Sequence, residues 1–157
     1  GFAPRLHGAF RPVGDTDSER ALCWLLQEMN KAHASVPSVA ELGATLAELV
    51  PQVASHGTFN FMLSNGVALW AHCSTHLHWL ARQHPFATAH LQDEDLSVDF
   101  AQLTTPNDRV AVVVTEPLTA DEPWAAFAPG EMKVFVQGRP FPLPVLGGNP
   151  VGRAAAL

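Results

Sequence analysis

The stretch GDTDSE at residues 14–19 decides how the chain begins to fold, because a polar turn runs there directly into an apolar helical pattern. Thr16 and Glu19 have the spacing of a capping box. In such a box the Thr16 hydroxyl accepts from the Glu19 backbone N–H, and the Glu19 carboxylate accepts from the Thr16 N–H. Asp17 then falls at the first helical position, in the positive end of the helix dipole. The box does not use the Asp17 carboxylate, which either complements the dipole or binds a cation.

The helix that starts at this stretch is predicted to cover residues 17–34, because apolar residues recur there at helical spacing. Its expected apolar stripe consists of Leu22, Leu25, Leu26, Met29 and His33. Ser38 and Glu41 repeat the capping-box spacing and predict a second helix that ends before Gly57. Pro51 is expected to kink or shorten this second helix, because proline removes a backbone donor.

Beyond the second helix the apolar period changes to two, which is typical of strands. Residues 58–74 predict a β-hairpin, because Asn65-Gly66 supplies the two positive φ angles of a type I′ turn. The Val-rich run at 109–115 predicts a central strand covered on both faces. Other expected elements are strands at 77–82, 88–91 and 131–136, the last of the fold, and a helical turn at 124–127.

The composition limits the number of domains and the classes of partner that are expected. With 157 residues and no charged linker, the chain is expected to form one domain. A net charge of −6 with only nine Lys and Arg argues against a nucleic-acid partner. No apolar run has the length of a membrane span, so we expect a cytoplasmic protein with no membrane partner. Cys23 and Cys73 are too few for a disulfide framework and are expected to be reduced.

Four spaced motifs occur in a characteristic order: FRPVGDTDSE at 10–19, CST at 73–75, TTPND at 104–108 and PGE at 129–131. Together they make the chain resemble the C-terminal part of class II glutamine amidotransferases, most closely the small stand-alone bacterial type. The resemblance extends from about Phe10 to Gly138. It implies an α+β fold, part of a four-layer αββα N-terminal-nucleophile sandwich with antiparallel sheets. Residues 1–138 would form the C-terminal part of the domain, and the Pro/Gly-rich residues 139–157 are predicted to be a mobile tail.

The resemblance also implies a chemistry, the release of ammonia from glutamine. In this family a cysteine at the mature N-terminus attacks the glutamine amide. An arginine and an Asn-Gly pair in the first half of the domain bind the substrate carboxylate and form the oxyanion hole. The aspartate of a T/S-D-S/T-E motif holds the substrate α-ammonium. By this resemblance Asp17 is the predicted substrate-binding residue, with Thr16 and Ser18 as its neighbours.

The other family residues have no counterpart in this chain. The first residue is Gly1, Asn65-Gly66 is explained by its hairpin, and Cys23 and Cys73 lack an activating terminal amine. We therefore predict no catalytic residue here, and a truncated fragment that needs the missing N-terminal half. Exposed strand edges are expected to favour self-association. The alternative is a non-catalytic scaffold or ligand-binding remnant of the same fold. No cofactor is predicted.

Three other residue groups carry weaker hypotheses. His72, Cys73, His76 and His78 are zinc-type ligands, but strand alternation separates Cys73 from His76 and His78, so ordinary polar residues are favoured over a metal site. The acids Asp93, Glu94, Asp95 and Asp99 lack the regular spacing of a calcium loop and suggest a solvated turn. The four tryptophans at 24, 70, 79 and 124 are expected in the core rather than in a ligand pocket.

Overall fold

A computed structural model describes residues 2–84, 88–90, 97–99 and 105–143 of the chain, with only the backbone for the two short segments. The helices are α1 (Asp17–Ala32) and α2 (Val39–Ala54). The strands are β1 (Phe61–Ser64), β2 (Ala68–His72), β3 (His78–Gln83), β4 (Thr88–His90), β5 (Ser97–Asp99), β6 (Arg109–Val114), β7 (Ala125–Ala126), β8 (Met132–Val136) and β9 (Arg139–Phe141).

Both helices start where the sequence predicts. Thr16 is the N-cap of α1, and Ser38 with Glu41 forms a complete capping box at α2. Helix α2 continues past Pro51 to Ala54, so the proline does not end it. Proline costs a helix one backbone hydrogen bond, and packing of Val50 and Val53 in the core offsets that loss.

The apolar stripe of α1 differs from the prediction at Leu22, whose side chain is 41% exposed. Ala21 and Leu25 form the buried face instead. The N-terminal segment packs along the part of the helix that carries Gln27. The Gln27 side chain is buried there, where it accepts from the His7 backbone N–H at 2.5 Å and donates to the Arg5 carbonyl at 3.3 Å.

The strands form two layers beside the helices, and every pair is antiparallel. One sheet has the order β1-β2-β8-β9, another has β6-β3-β7, and β4 pairs with β5. Alternate residues of β2 point to opposite faces. Trp70 accordingly packs with Leu46 and Val50 of α2, whereas Ala71 packs with Leu77 near the start of β3. The described chain is therefore an α+β sandwich with a helical layer, a four-stranded sheet and a three-stranded sheet, which confirms the predicted fold class.

Three sequence predictions about the strands are wrong. The Val-rich run forms β6, which is an edge of its described sheet, with Val110 46% exposed. Residues 124–127 contain the short strand β7 in place of a helical turn, because Ala125 and Ala126 pair with β3. Strand β8 does not end the fold, since β9 follows it and lies in the segment predicted as a tail. Residues 144–157 of that segment lie outside the described residues.

The first tight turn of the four-stranded sheet differs in detail from the prediction, and the second was not predicted. The predicted hairpin of β1 and β2 is confirmed, but only Gly66 in its turn has a positive φ, of 84°. Asn65 accepts two backbone N–H bonds through its own side chain, from Val67 and Ala68 at 3.0 Å, and so forms a turn without adopting positive φ. The two positive φ angles of a type I′ turn occur instead at Gln137 (49°) and Gly138 (71°), between β8 and β9.

A polar cluster ties β3 to the segment before β7. The Arg82 guanidinium donates to both carboxylate oxygens of Glu122, at 2.6 and 2.5 Å. Thr119, which is 2% exposed, donates to the same carboxylate at 2.5 Å and accepts from the Trp124 indole N–H at 2.9 Å. These contacts hold a bidentate ion pair whose side chains are only 18% and 13% exposed.

We expect Glu122 to make the stability of the protein depend on acid pH. The hydrogen bonds from Arg82 hold the pKa of Glu122 below its ordinary value, against the opposing effect of burial. Its contribution to the free energy of unfolding is therefore present above the unfolded-state pKa, and is lost as the pH falls through the lower folded-state pKa. Glu122→Gln should lower the free energy of unfolding at pH 7 by about 2 kcal/mol.

Urea denaturation of the wild-type and Glu122→Gln proteins between pH 7 and pH 3 measures this contribution. The difference between the two proteins should shrink as the pH falls. Glu28→Gln is the control, because its Lys31 partner is 55% exposed and such a pair contributes below about 1 kcal/mol. If the difference in the free energy of unfolding between the wild-type and Glu122→Gln proteins stayed constant with pH, the ionised Glu122 would not be the source of the pH dependence.

Candidate functional site

A cavity of about 220 Å³ opens at the first turn of α1. Its lining residues come from α1, from the end of α2 with the segment that follows, and from the N-terminal segment. They are Phe2, Asp17, Ser18, Ala21, Val53, His56, Gly57, Thr58 and Phe59. The Phe2 ring lies 5.4 Å from the Trp24 ring and 5.2 Å from the His56 ring, so aromatic contacts form one wall. The cavity is thus apolar on one side and polar at the helix start.

The polar side consists of Asp17 and Ser18, both exposed. Among the residues whose side chains the structure describes, the Asp17 carboxylate has no hydrogen-bond or ion-pair partner. It lies in the first turn of α1, where the helix dipole favours a negative charge. This arrangement leaves a carboxylate available to a positively charged group in the cavity.

The third predicted residue, Thr16, has a different part in the structure. Its hydroxyl accepts from the Glu19 backbone N–H at 3.3 Å, as a capping residue does, and Thr16 does not line the cavity. The structure thus brings Asp17 and Ser18 together at the cavity and leaves Thr16 as their structural support.

The second half of the predicted capping box at α1 is wrong. The Glu19 carboxylate reaches past Thr16 and accepts from the backbone N–H groups of Val13, at 2.6 Å, and Gly14, at 2.8 Å. The sequence pattern could not show this, because T-x-x-E fixes the spacing of the two side chains and not the path of the chain before the cap.

Residues 56–59, which line the same cavity as Asp17, were not predicted from the sequence as part of a site. These residues follow α2, and only the antiparallel packing of the two helices brings the end of α2 to the start of α1. The one local signal was the turn residue Gly57 between the helical and alternating patterns. Such a signal marks a loop and not the cavity that the loop faces.

Comparison with known proteins places the chain in a family. The family described as "Glutamine amidotransferases class-II" matches residues 1–146. The chain belongs to this family. The protein YafJ of Escherichia coli, whose name assigns it to the glutamine amidotransferases, is 45% identical over 132 residues, which are 83% of this chain and 52% of YafJ. A relative from Haemophilus influenzae with the same assignment is 38% identical over 82% of this chain and 44% of its own length.

A solved structure agrees with these relatives. The crystal structure of a predicted glutamine amidotransferase from Pseudomonas aeruginosa matches 90% of this chain and 55% of its own, with a TM-score of 0.78 and 39% identity. The chain thus spans about half the length of the relatives that it matches. The family resemblance seen in the sequence is confirmed.

The histidines and the cysteine at residues 72–78 do not converge on one point. His72 Nδ1 lies 2.7 Å from the Phe59 carbonyl oxygen, His78 Nδ1 lies 3.0 Å from the Thr115 carbonyl oxygen, and His76 faces Glu116 at 3.5 Å. No group of three or more His, Cys, Asp or Glu that could hold a metal ion occurs in the described residues. Of the predicted acidic turn, Asp93, Glu94 and Asp95 lie outside the described residues.

The tryptophans of the chain mostly fill the core, as predicted. Trp70 is 1% exposed in the cluster between the helices and the sheet, and Trp24 packs against the same cluster. Trp79 packs in the cluster between the two sheets. Trp124 is half-buried and donates to Thr119. Both cysteines are buried free thiols.

A larger cavity of about 510 Å³ lies between the end of α1, α2 and the turn of the first hairpin. Its walls are mostly apolar, with residues such as Met29, Leu42 and Leu63, and include no Asp, Glu, Lys or Arg. Among the described residues it therefore has no carboxylate that could pair with a positively charged group, unlike the smaller cavity with Asp17. No helix in the described residues has the length and hydropathy to cross a membrane.

Proposed function

We propose that this chain supplies the α-ammonium-binding part of a glutamine amidotransferase domain that releases ammonia from glutamine. The observation that carries the proposal is the Asp17 carboxylate at the wall of the small cavity, which has no partner among the side chains that the structure describes. An ammonium and a carboxylate form charge-assisted hydrogen bonds, which are about twice as strong as neutral ones. Family membership supplies glutamine as the substrate class.

The attacking thiol is proposed to lie in the part of the relatives' length that this chain does not span. Cys23 and Cys73 are 7% and 0% exposed, and neither lines the cavity that holds Asp17. A nucleophilic cysteine must reach its substrate and needs a neighbouring base. In this division the chain binds and orients the amino-acid end of glutamine, and the catalytic cysteine attacks its amide from the other half of the domain.

The proposal is tested with glutamine and glutaramate, the analogue in which hydrogen replaces the α-amino group. In the complete natural protein, ammonia release from glutamine should have a kcat/KM about 30-fold above that from glutaramate, because the analogue leaves Asp17 without a partner. An enzyme-coupled ammonia assay measures both rates.

Equal rates for the two substrates would overturn the α-ammonium assignment. A protein that releases no ammonia, but is stabilised by glutamine and not by glutaramate, would retain the binding site and lose the proposed reaction. That result would favour the alternative of a ligand-binding remnant.

A further inference from the structure

The Glu19 side chain makes contacts that helix capping does not require. Its Oε1 accepts from the Val13 N–H at 2.6 Å and its Oε2 accepts from the Gly14 N–H at 2.8 Å. The equivalent glutamate of α2, Glu41, uses one oxygen instead, which accepts from the Ser38 N–H at 2.8 Å and the Ser38 hydroxyl at 2.7 Å. Glu19 thus holds two consecutive peptide groups that lie outside its own helix.

Gly14 is shaped to receive this carboxylate. A Cβ added at Gly14 would lie 2.9 Å from Glu19 Oε2, closer than carbon and oxygen approach without a shift. The atom that would move is the end of a flexible side chain, so a larger residue at position 14 would displace the carboxylate. The absence of a side chain at Gly14 and the reach of Glu19 are therefore parts of one arrangement.

Among the described residues, hydrogen bonds rather than apolar packing hold the segment before Asp17. Residues 13–18 are all exposed, and Val13 is 100% exposed, so apolar packing does not hold them. The carboxylate of Glu19 and its backbone N–H, which donates to the Thr16 hydroxyl, close the turn at both ends. Asp17 follows that turn directly, so its position depends on the turn.

We propose that Glu19 is a positioning residue for the substrate-binding Asp17. It ties the backbone of Val13 and Gly14 to the first turn of α1, and thereby fixes where the Asp17 carboxylate meets the substrate ammonium. This inference rests on the proposed function of Asp17.

Glu19→Gln tests the role in the complete natural protein. The amide side chain that this substitution introduces has one oxygen in place of two. It can accept from only one of the two backbone N–H groups, and its NH₂ group faces the other. The KM for glutamine should rise about 10-fold with kcat within about twofold, because an interaction made equally in ground and transition states has been weakened. The KM for glutaramate, which does not use Asp17, should be unchanged.

Two further variants separate positioning from simple helix stability. Gly14→Ala should reproduce the rise in KM, since it displaces the same carboxylate, and it serves as the second test if Glu19→Gln folds poorly. Glu41→Gln is the matched control, because it removes a first-turn glutamate contact far from the cavity. It should lower the melting temperature as Glu19→Gln does, and should leave the KM for glutamine unchanged.

A double mutant separates failure of this inference from failure of the proposed function. In an Asp17→Asn background, Glu19→Gln should cause no further rise in the KM for glutamine, because Glu19 affects substrate binding only by positioning Asp17. A further 10-fold rise there, or an equal rise for glutaramate, would overturn the positioning role. If Asp17→Asn alone leaves the KM for glutamine unchanged, the proposed function fails and the positioning role fails with it.

Discussion

Gly138→Ala is expected to lower the free energy of unfolding by about 4 kcal/mol, as the sum of two penalties. Gly138 has a φ of 71°, in the left-handed region that disfavours alanine. Its added Cβ would also lie 2.6 Å from the carbonyl carbon and oxygen of Arg109, and 2.7 Å from the Val110 nitrogen. These are backbone atoms of the neighbouring sheet, so no side-chain rotation relieves the contact.

Thermal denaturation measures this effect, and for a chain of this size the melting temperature should fall by about 10 °C. Gly130→Ala is a matched control. Gly130 has a similar φ of 82°, but an added Cβ there meets nothing within 4 Å. It should therefore show the backbone penalty alone, about 1 kcal/mol. Equal losses at the two positions would show that the close approach to β6 contributes nothing.

Asp17→Asn should raise the KM for glutamine about 100-fold with kcat within about threefold. The substitution removes the charge that attracts the substrate ammonium and introduces an NH₂ donor beside it. The interaction is therefore weakened equally in the ground state and in the transition state. The fold should persist, because the contacts of Thr16 and Glu19 that start α1 do not involve the Asp17 side chain. Steady-state kinetics of the complete natural protein provide the measurement.

Asp15→Asn is the control for charge alone. Asp15 is an exposed aspartate two residues earlier in the chain, and it does not line the cavity. Its replacement removes the same negative charge and should change the KM by less than about twofold, as screened exposed charges do. A similar rise in KM in both variants would mean that Asp17 acts through the general negative charge of this segment.

The helices were predictable from the sequence because their determinants are local. The hydroxyls of Thr16 and Ser38 each accept a hydrogen bond from the backbone N–H of the residue three positions later. Spacing alone therefore identifies the first turns. The first hairpin was predictable for the same reason. The detail of its turn was not, because the Asn65 side chain can satisfy the turn in more than one backbone conformation.

What the sequence could not show depends on contacts between distant segments. The Val-rich run of β6 has the composition of a buried strand, but its position at a sheet edge is set by pairing with β3 alone in the described sheet. The residues of β7 have helical propensity, and pairing with β3 overrides it. At the candidate site, the motif singles out Asp17, whose proposed role stays a prediction, whereas residues 56–59 reach the cavity only through the packing of α2 beside α1.

The order of strands in the four-stranded sheet has a consequence for how the protein folds. Strands β2 and β8 are direct neighbours, with His72 opposite Met132, although roughly sixty residues of chain lie between them. That intervening chain contains the whole of β3, β6 and β7. Closing a loop of this length carries an entropic cost that grows with its length. Compacting the intervening strands first shortens the effective loop, so the three-stranded sheet is expected to form before β8 docks on β2, and folding should be slow for a chain of this size.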